Sequence, residues 1–414
     1  MTLEEKVLGY RCVSCAREHG LRNVQYVCPA CGNNLQIVYD YARIKKVFRT
    51  EKISVNGDLS IWRYGPLLPL TDDAVRLPLQ IGWTPLYKTR RLGKKLSVQE
   101  LYVKDDGRNP SASAKDRASA VVIASALERG IGRIVCASTG NAASSLACLS
   151  APLGINTVVF VPASAPSAKI AQLFVFGAEV ITVQGSYDQA YELSRASTDE
   201  YGWYNRNTGF NPFTREGKKT LSFEICEQLG WEPPHWVFVP VGDGNIISGV
   251  WKGFCDLYEI GFIHSLPKLV ACQAEKSDAV KRAVETGGSI RPVSGRTVAD
   301  SISVRVPKDG RAAVDAVKKS SGFAITVKDE KILKAVWELA RETGVFAEPA
   351  GAVPLAALKQ ALSEGLVADY ERIVLLATGN GLKDVDPVMK SMVAPVCIRP
   401  ELEELKRMVS RGIL

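Results

Sequence analysis

The sequence predicts an α/β protein with parallel sheets covered by helices on both faces, preceded by a small cysteine-bearing module. Three observations carry this. Short β-branched apolar runs alternate with helix-compatible stretches from about residue 100 onward. At 414 residues the chain is too long for one ordinary core, so two main domains are expected. The first forty residues follow a pattern of their own.

That pattern is Cys12-Val-Ser-Cys15, then twelve residues, then Cys28-Pro-Ala-Cys31-Gly32. Each CxxC makes a tight knuckle that aims two thiolates at one ion, and two knuckles complete a tetrahedral site. Cys12, Cys15, Cys28 and Cys31 are therefore read as the ligands of a zinc ribbon over residues 1–38. With four sulfurs no coordination position stays open, so the Zn2+ would be structural. Free thiols or a redox pair are the competing reading. Residues 40–80 are turn-rich, with Gly65-Pro66 and further prolines, and read as a connector wrapping the main body.

The strand candidates follow: Arg133-Ile-Val-Cys-Ala, Thr157-Val-Val-Phe-Val, Glu179-Val-Ile-Thr-Val, His235-Trp-Val-Phe-Val-Pro, Lys268-Leu-Val-Ala-Cys and Arg372-Ile-Val-Leu-Leu-Ala. Helix-compatible segments lie between most of them, as in sheets wound with helices on both faces. Ligands in such folds sit where strands end in loops, and four loops draw attention.

Asn109-Pro-Ser-Ala-Ser-Ala-Lys115-Asp116-Arg117 sets a lysine after small residues at a helix start. Partial desolvation there makes a lysine nucleophilic towards carbonyls; an ordinary exposed lysine beside an Asp–Arg pair is the alternative. Ser138-Thr139-Gly140-Asn141 follows a strand and opens a helix, which suits a carboxylate or phosphate, or a plain N-cap. Gly242-Asp243-Gly244-Asn245-Ile246 is a glycine-rich turn whose amides converge on an anion. It lacks the third glycine spacing of a dinucleotide loop. Thr378-Gly379-Asn380-Gly381 ends the last strand and offers a hydroxyl, or is a simple turn.

In this order, Asn-Pro-x-x-Ser-x-Lys-Asp-Arg, Ser-Thr-Gly-Asn, Pro-Val-Gly-x-Gly-Asn and Thr-Gly-x-Gly-Leu-Lys-Asp resemble the motifs of threonine synthases. These are fold-type II, tryptophan-synthase-β-like pyridoxal-phosphate enzymes. The resemblance covers about residues 80–390, including the entry Gly82-Trp-Thr-Pro-Leu, and some family members carry a Cys-rich N-terminal segment. It implies two doubly wound open sheets: a large cofactor-binding domain of residues 39–110 and 216–392, a small domain of 111–215, and a C-terminal extension of 393–414. It also implies Lys115 as the Schiff-base lysine of pyridoxal 5'-phosphate and Asn141 against the ring. Gly242, Asp243, Gly244, Asn245 and Ile246 would cradle the phosphate, and Thr378 would reach the pyridine nitrogen. Ser138, Thr139 and Gly140 would bind the carboxylate of a small-molecule amino-acid substrate. A neutral hydroxyl at that nitrogen favours elimination or replacement at Cβ or Cγ. Family members are commonly homodimers.

The substrate half departs from the family. A hydroxyl residue is usual where Ala142 stands, and the phosphate-gripping Ser and Arg become Gly209 and Thr214, with an arginine displaced by one to Arg215. The glycine-rich loop is one residue shorter, and Asn380 replaces the usual His. A dianion without its arginine loses charge-assisted hydrogen bonds of about 1.5–3 kcal/mol each. Arg215 is the expected substitute. Conversion of O-phosphohomoserine and water to threonine and phosphate leads. A serine/threonine dehydratase, or a cysteine- or cysteate-forming synthase, is the alternative.

Composition excludes little else. The net charge is +8, and residues 1–50 hold eight Lys/Arg against four Asp/Glu, an excess of four, so a nucleic-acid role is not indicated. No apolar run reaches a membrane span, and Met-Thr-Leu-Glu-Glu-Lys is no signal peptide, so a cytoplasmic location without membrane partners is expected. Three histidines make a histidine base improbable.

Overall fold

The computed structural model describes residues 1–21, 26–165, 167–392 and 396–411. Its first sheet is antiparallel and small: β1 (Val7–Cys12) lies between β2 (Glu18–His19) and β3 (Leu35–Tyr39). Residues 41–67 add two short helices and a 3-10 turn that lie against the main body. No helix among the described residues is long and apolar enough to cross a membrane.

The body holds two further sheets. The larger contains β4 (Leu86–Lys88), β5 (Glu100–Asp105), β10 (Trp236–Pro240), β11 (Lys268–Ala274), β12 (Phe323–Val327) and β13 (Arg372–Ala377). Their order is β12-β11-β10-β13-β5-β4, parallel throughout except for the edge strand β4. The smaller contains β6 (Arg133–Ala137), β7 (Asn156–Pro162), β8 (Glu179–Val183) and β9 (Tyr204–Asn205) in the all-parallel order β8-β7-β6-β9. Every residue of β10 is buried. A strand covered on both faces keeps no polar alternation, which is why it reads as one apolar run. The six strand candidates of the sequence each fall on an observed strand.

Three helices carry the loops of interest. Lys115–Glu128 opens one, Asn141–Ser150 follows β6, and Asn245–Glu259 follows β10.

The cysteine module is fastened to both sheet systems. The Tyr26 ring stacks on Phe210 at 4.5 Å, and its hydroxyl accepts from the Asn205 amide at 2.9 Å. Tyr39 donates to Glu216 at 2.7 Å. The Asn34 side chain donates to the Lys308 carbonyl at 2.7 Å and to Asp309 Oδ1 at 3.0 Å. Asp309 is fully buried and also accepts from Arg215, Asn245 and Ser248.

Candidate active site

Between the carboxyl ends of the two sheets lies a cavity of about 440 Å³. Its wall includes Lys115, Ser138, Thr139, Gly140, Asn141, Gly242, Asp243, Gly244, Asn245, Ile246 and Thr378. All four loops singled out in the sequence thus meet in one space.

Lys115 is the first residue of its helix. The loop before it is pinned to the end of β13: Ala114 N–H donates to the Thr378 carbonyl at 2.9 Å, and Asn380 N–H to the Ala112 carbonyl at 3.0 Å. Lysine and threonine are therefore set by one another. Burial holds the Lys115 ammonium below the usual lysine range, against the opposing pull of the Glu348 carboxylate. The two residues after it are fully buried and do different work. Asp116 accepts from the Ser111 amide at 2.6 Å and so ties down the loop. Arg117 bonds Asp106 at 2.7 Å and Glu224 at 2.5 Å. The Asp–Arg pair is no pair; each serves a separate anchor.

On the small-sheet side, the helix after β6 has Gly140 as its N-cap and no side-chain cap. Ser138 Oγ accepts from Gly140 N–H at 3.1 Å. The Thr139 hydroxyl makes no hydrogen bond among the described residues. These hydroxyls are therefore not spent on capping, and the plain N-cap reading loses its basis. The Asn141 amide donates to both Glu348 oxygens at 3.0 and 3.1 Å and to Ser301 at 3.2 Å.

On the large-sheet side, Gly244 caps the helix after β10 with φ +87°, a left-handed conformation that favours glycine. A Cβ there would stand 2.7 Å from Ala313 Cβ, so the turn could not loosen to admit a side chain. No side chain caps this helix, which leaves its first amides directed at the cavity. The Asn245 side chain is fixed by Asp309 at 2.8 Å and by Lys218 Nζ at 2.6 Å. The Thr378 hydroxyl has no hydrogen-bond partner among the described residues, although the residue is buried. A glycine turn with open amides, a half-buried lysine and a buried unclaimed hydroxyl across one cavity suit pyridoxal phosphate in size and in donor chemistry.

One expectation for the substrate end needs correction. Arg215 is not among the cavity-lining residues. Its guanidinium bonds Asp309 Oδ1 at 2.6 Å, Ser248 at 3.2 Å and the Leu35 carbonyl at 3.2 Å. It lies on the helix Phe213–Lys218, where a shift of one residue turns a side chain by about 100°. The displaced arginine therefore points at the cysteine module instead of the cavity. Asn380, which stands where His is usual, caps a turn, accepting from Leu382 N–H at 3.0 Å.

The sequence reading passed over Arg206, Lys218, Tyr187 and Glu348. The first three line the cavity, and Glu348 holds Asn141. Only Glu348 left a signal, the Glu-Pro pair that starts the helix Pro349–Ser363.

Away from the cavity, the sulfurs of Cys12, Cys15, Cys28 and Cys31 all lie within 4.8 Å of one another. Tetrahedral zinc with bonds of about 2.3 Å requires sulfurs about 3.8 Å apart. The pairs Cys12–Cys31 at 3.4 Å, Cys15–Cys28 at 3.8 Å and Cys15–Cys31 at 3.6 Å are close to that spacing. The donor set fits the ion.

The chain belongs to the pyridoxal-phosphate dependent enzyme family, which it matches over residues 77–379. Within that family it is similar along nearly its whole length to the threonine synthase of Methanocaldococcus jannaschii. The two are 39% identical over 402 residues, 96% of this chain and 98% of the relative. The threonine synthase of Methanosarcina acetivorans is 36% identical over the same shares. That of Mycobacterium tuberculosis is 35% identical over 81% of this chain and 92% of its own. Among solved structures, threonine deaminase isoform 2 from Solanum lycopersicum superposes with a TM-score of 0.64 at 22% identity, covering 74% of this chain and 86% of that one. This last likeness is one of fold.

Proposed function

We propose that this chain is a pyridoxal-phosphate-dependent threonine synthase, which converts O-phosphohomoserine and water to threonine and phosphate. The observation that carries the reading is the meeting of Lys115, Ser138–Asn141, Gly242–Ile246 and Thr378 around one cavity. Similarity to threonine synthases over 96% of the chain supports it.

When bound, pyridoxal phosphate supplies a conjugated ring that takes up electrons released at the substrate's Cα. The protein's own residues do the rest. Lys115 Nζ would anchor the cofactor and move the Cα proton; burial holds its pKa below the usual lysine range, which eases the loss of a proton from the ammonium. The main-chain amides of Gly242, Asp243, Gly244, Asn245 and Ile246 hold the cofactor phosphate. Asn141 would flank the ring, and the neutral Thr378 hydroxyl would face the ring nitrogen without stabilising a positive charge there. Ser138, Thr139 and Gly140 orient the substrate carboxylate.

Cys12, Cys15, Cys28 and Cys31 hold a structural Zn2+ that fixes the N-terminal module of residues 1–38. The large domain comprises 39–110 and 216–392, the small one 111–215, and 393–414 extend the chain. A cytoplasmic homodimer without nucleic-acid or membrane partners completes the reading.

The test is to incubate purified holoenzyme with O-phosphohomoserine, O-phosphoserine, threonine and serine while following phosphate, oxoacid and new amino acid. Phosphate release with threonine formation is expected from the first, and its absence sinks the reading. Lys115→Ala should be colourless after dialysis and about 10²–10⁴-fold slower.

A second reading has one observation behind it. Thr214 is buried and spends its hydroxyl on the Asn211 carbonyl at 2.7 Å, while Arg215 faces away. The family's usual grip on the homoserine phosphate is therefore missing. That favours a different substituted amino acid, used by a dehydratase or by a cysteine- or cysteate-forming synthase. Oxoacid, or product from O-phosphoserine alone, would select it.

A further inference from the structure

Arg206 leaves the end of β9 beside the end of β6, where its amide donates to the Val135 carbonyl at 2.8 Å. Its side chain is fully buried. Nε donates to Ser119 Oγ at 3.1 Å, one Nη to Thr208 Oγ1 at 2.9 Å and the other to the Lys115 carbonyl at 3.5 Å. These partners are neutral, and no carboxylate among the described residues bonds the guanidinium. A buried cation without a counter-charge is costly, and a chain that keeps one has a use for it. Three of the residues concerned, Arg206, Thr208 and Lys115, line the cavity. The other fully buried cavity cation, Lys218, is turned to Asn245 of the glycine loop on the opposite side. Arg206 stands on the small-sheet side with Ser138–Gly140, since β9 pairs with β6.

We infer that Arg206 is the receptor for an anionic group on the substrate's side chain, the phosphate of a phosphorylated amino acid, and so sets substrate specificity. The inference rests on the proposed cofactor and reaction. It assigns to Arg206 the charge that Thr214 lacks and that Arg215 spends on Asp309. The guanidinium keeps unused N–H donors, and its fork matches two phosphate oxygens. A guanidinium bonded to the Lys115 carbonyl at 3.5 Å can thus hold the leaving group while the lysine acts at Cα.

The experiment uses the holoenzyme, its cofactor phosphate already in place, with inorganic phosphate as the probe. Wild-type protein should bind one phosphate, read by calorimetry and by a rise in Tm. Arg206→Met should weaken that binding at least about 10-fold, the factor for one charge-assisted bond, while its cofactor absorbance persists. Without phosphate, its Tm should equal or exceed that of wild type, because an uncompensated charge has gone. Arg206→Lys keeps the charge but not the fork; it should raise KM for the phosphorylated substrate more than it lowers kcat. Unchanged phosphate affinity in Arg206→Met overturns the inference. So does a lower Tm together with an unaltered KM in Arg206→Lys. If wild-type enzyme releases phosphate from neither phosphorylated amino acid, the proposed reaction fails, and the phosphate titration still decides the role of Arg206.

Discussion

Arg117 and Arg206 are two arginines with no surface, separated by less than the width of a domain and held in opposite ways. Arg117 is enclosed by Asp106 and Glu224 and shares Glu224 with Lys104, which bonds it at 2.7 Å. Burial alone would lower its pKa, but the two carboxylates raise it well above the usual arginine range. Arg206 has hydroxyls and a carbonyl instead, and burial lowers its pKa. The first is a closed account of charge that locks Thr84 and Asp106, which follows β5, to the helices Lys115–Glu128 and Thr220–Gln228. The second leaves a buried charge with no carboxylate bonded to it, in a residue of the cavity wall. The same side chain at the same depth thus builds the scaffold in one place and awaits a ligand in the other.

The comparison can be broken most easily at Arg117. Arg117→Ala leaves Asp106, Glu224 and Lys104 buried and short of a partner, and should lose about 3–5 kcal/mol of stability in denaturant unfolding. A loss below about 1 kcal/mol would erase the distinction from Arg206. Acid should act on the same network. Burial raises the Glu224 carboxyl, but Arg117 and Lys104 outweigh it and bring its pKa to about 2. A depressed carboxyl contributes stability above its unfolded value of about 4.3 and loses it as pH falls towards 2. Unfolding free energy should therefore decline between about pH 4.3 and 2, and Glu224→Gln should flatten that decline.

Gly244→Ala tests the cavity side. Its left-handed backbone and the Ala313 contact at 2.7 Å make a strain of about 1–3 kcal/mol expected. That strain should show as faster cofactor release, followed by absorbance, more than as a lower Tm. The smallest effect belongs to Asn34→Ala, which removes two hydrogen bonds to Lys308 and Asp309. About 1–2 kcal/mol should be lost from the docking of the cysteine module, read by hydrogen exchange in β1 and β3.

How far the sequence could be read follows the same divide. Strands such as β6 and β10 were legible because both faces are buried and the apolar run is unbroken. β5 was missed: Lys104 and Asp105 break its apolar pattern, and only the fold reveals that Lys104 is neutralised inside. The two-residue β9 is too short to stand out; β12, Phe323-Ala-Ile-Thr-Val, is as long and as apolar as β8 and was missed without a physical reason. At the site, the loops of Lys115, Gly244 and Thr378 stood out because they follow strands or open helices, but each kept an ordinary alternative, and only the order of the four motifs and the resemblance it carries gave them roles. Arg206 was not, because Asn205-Arg206-Asn207-Thr208 reads like any polar loop, and a string of letters does not say which arginine lacks a carboxylate. Arg215 was misjudged for a geometric reason: spacing counted in residues ignores the rotation that a helix imposes.

The bond between Asn34 and Asp309 joins residues 275 positions apart. At about 5–20 residues per second of synthesis, Asp309 follows Asn34 by roughly 14–55 s. During that interval the four cysteines, which lie within twenty residues of one another, are all already made, but the module they belong to has nowhere to dock. Its seat is assembled from Phe210, Glu216 and Asp309, all made later. The first part of the chain to be made therefore waits for a later part before it can be seated, and Asp309, which receives it, also holds Asn245 beside the glycine turn.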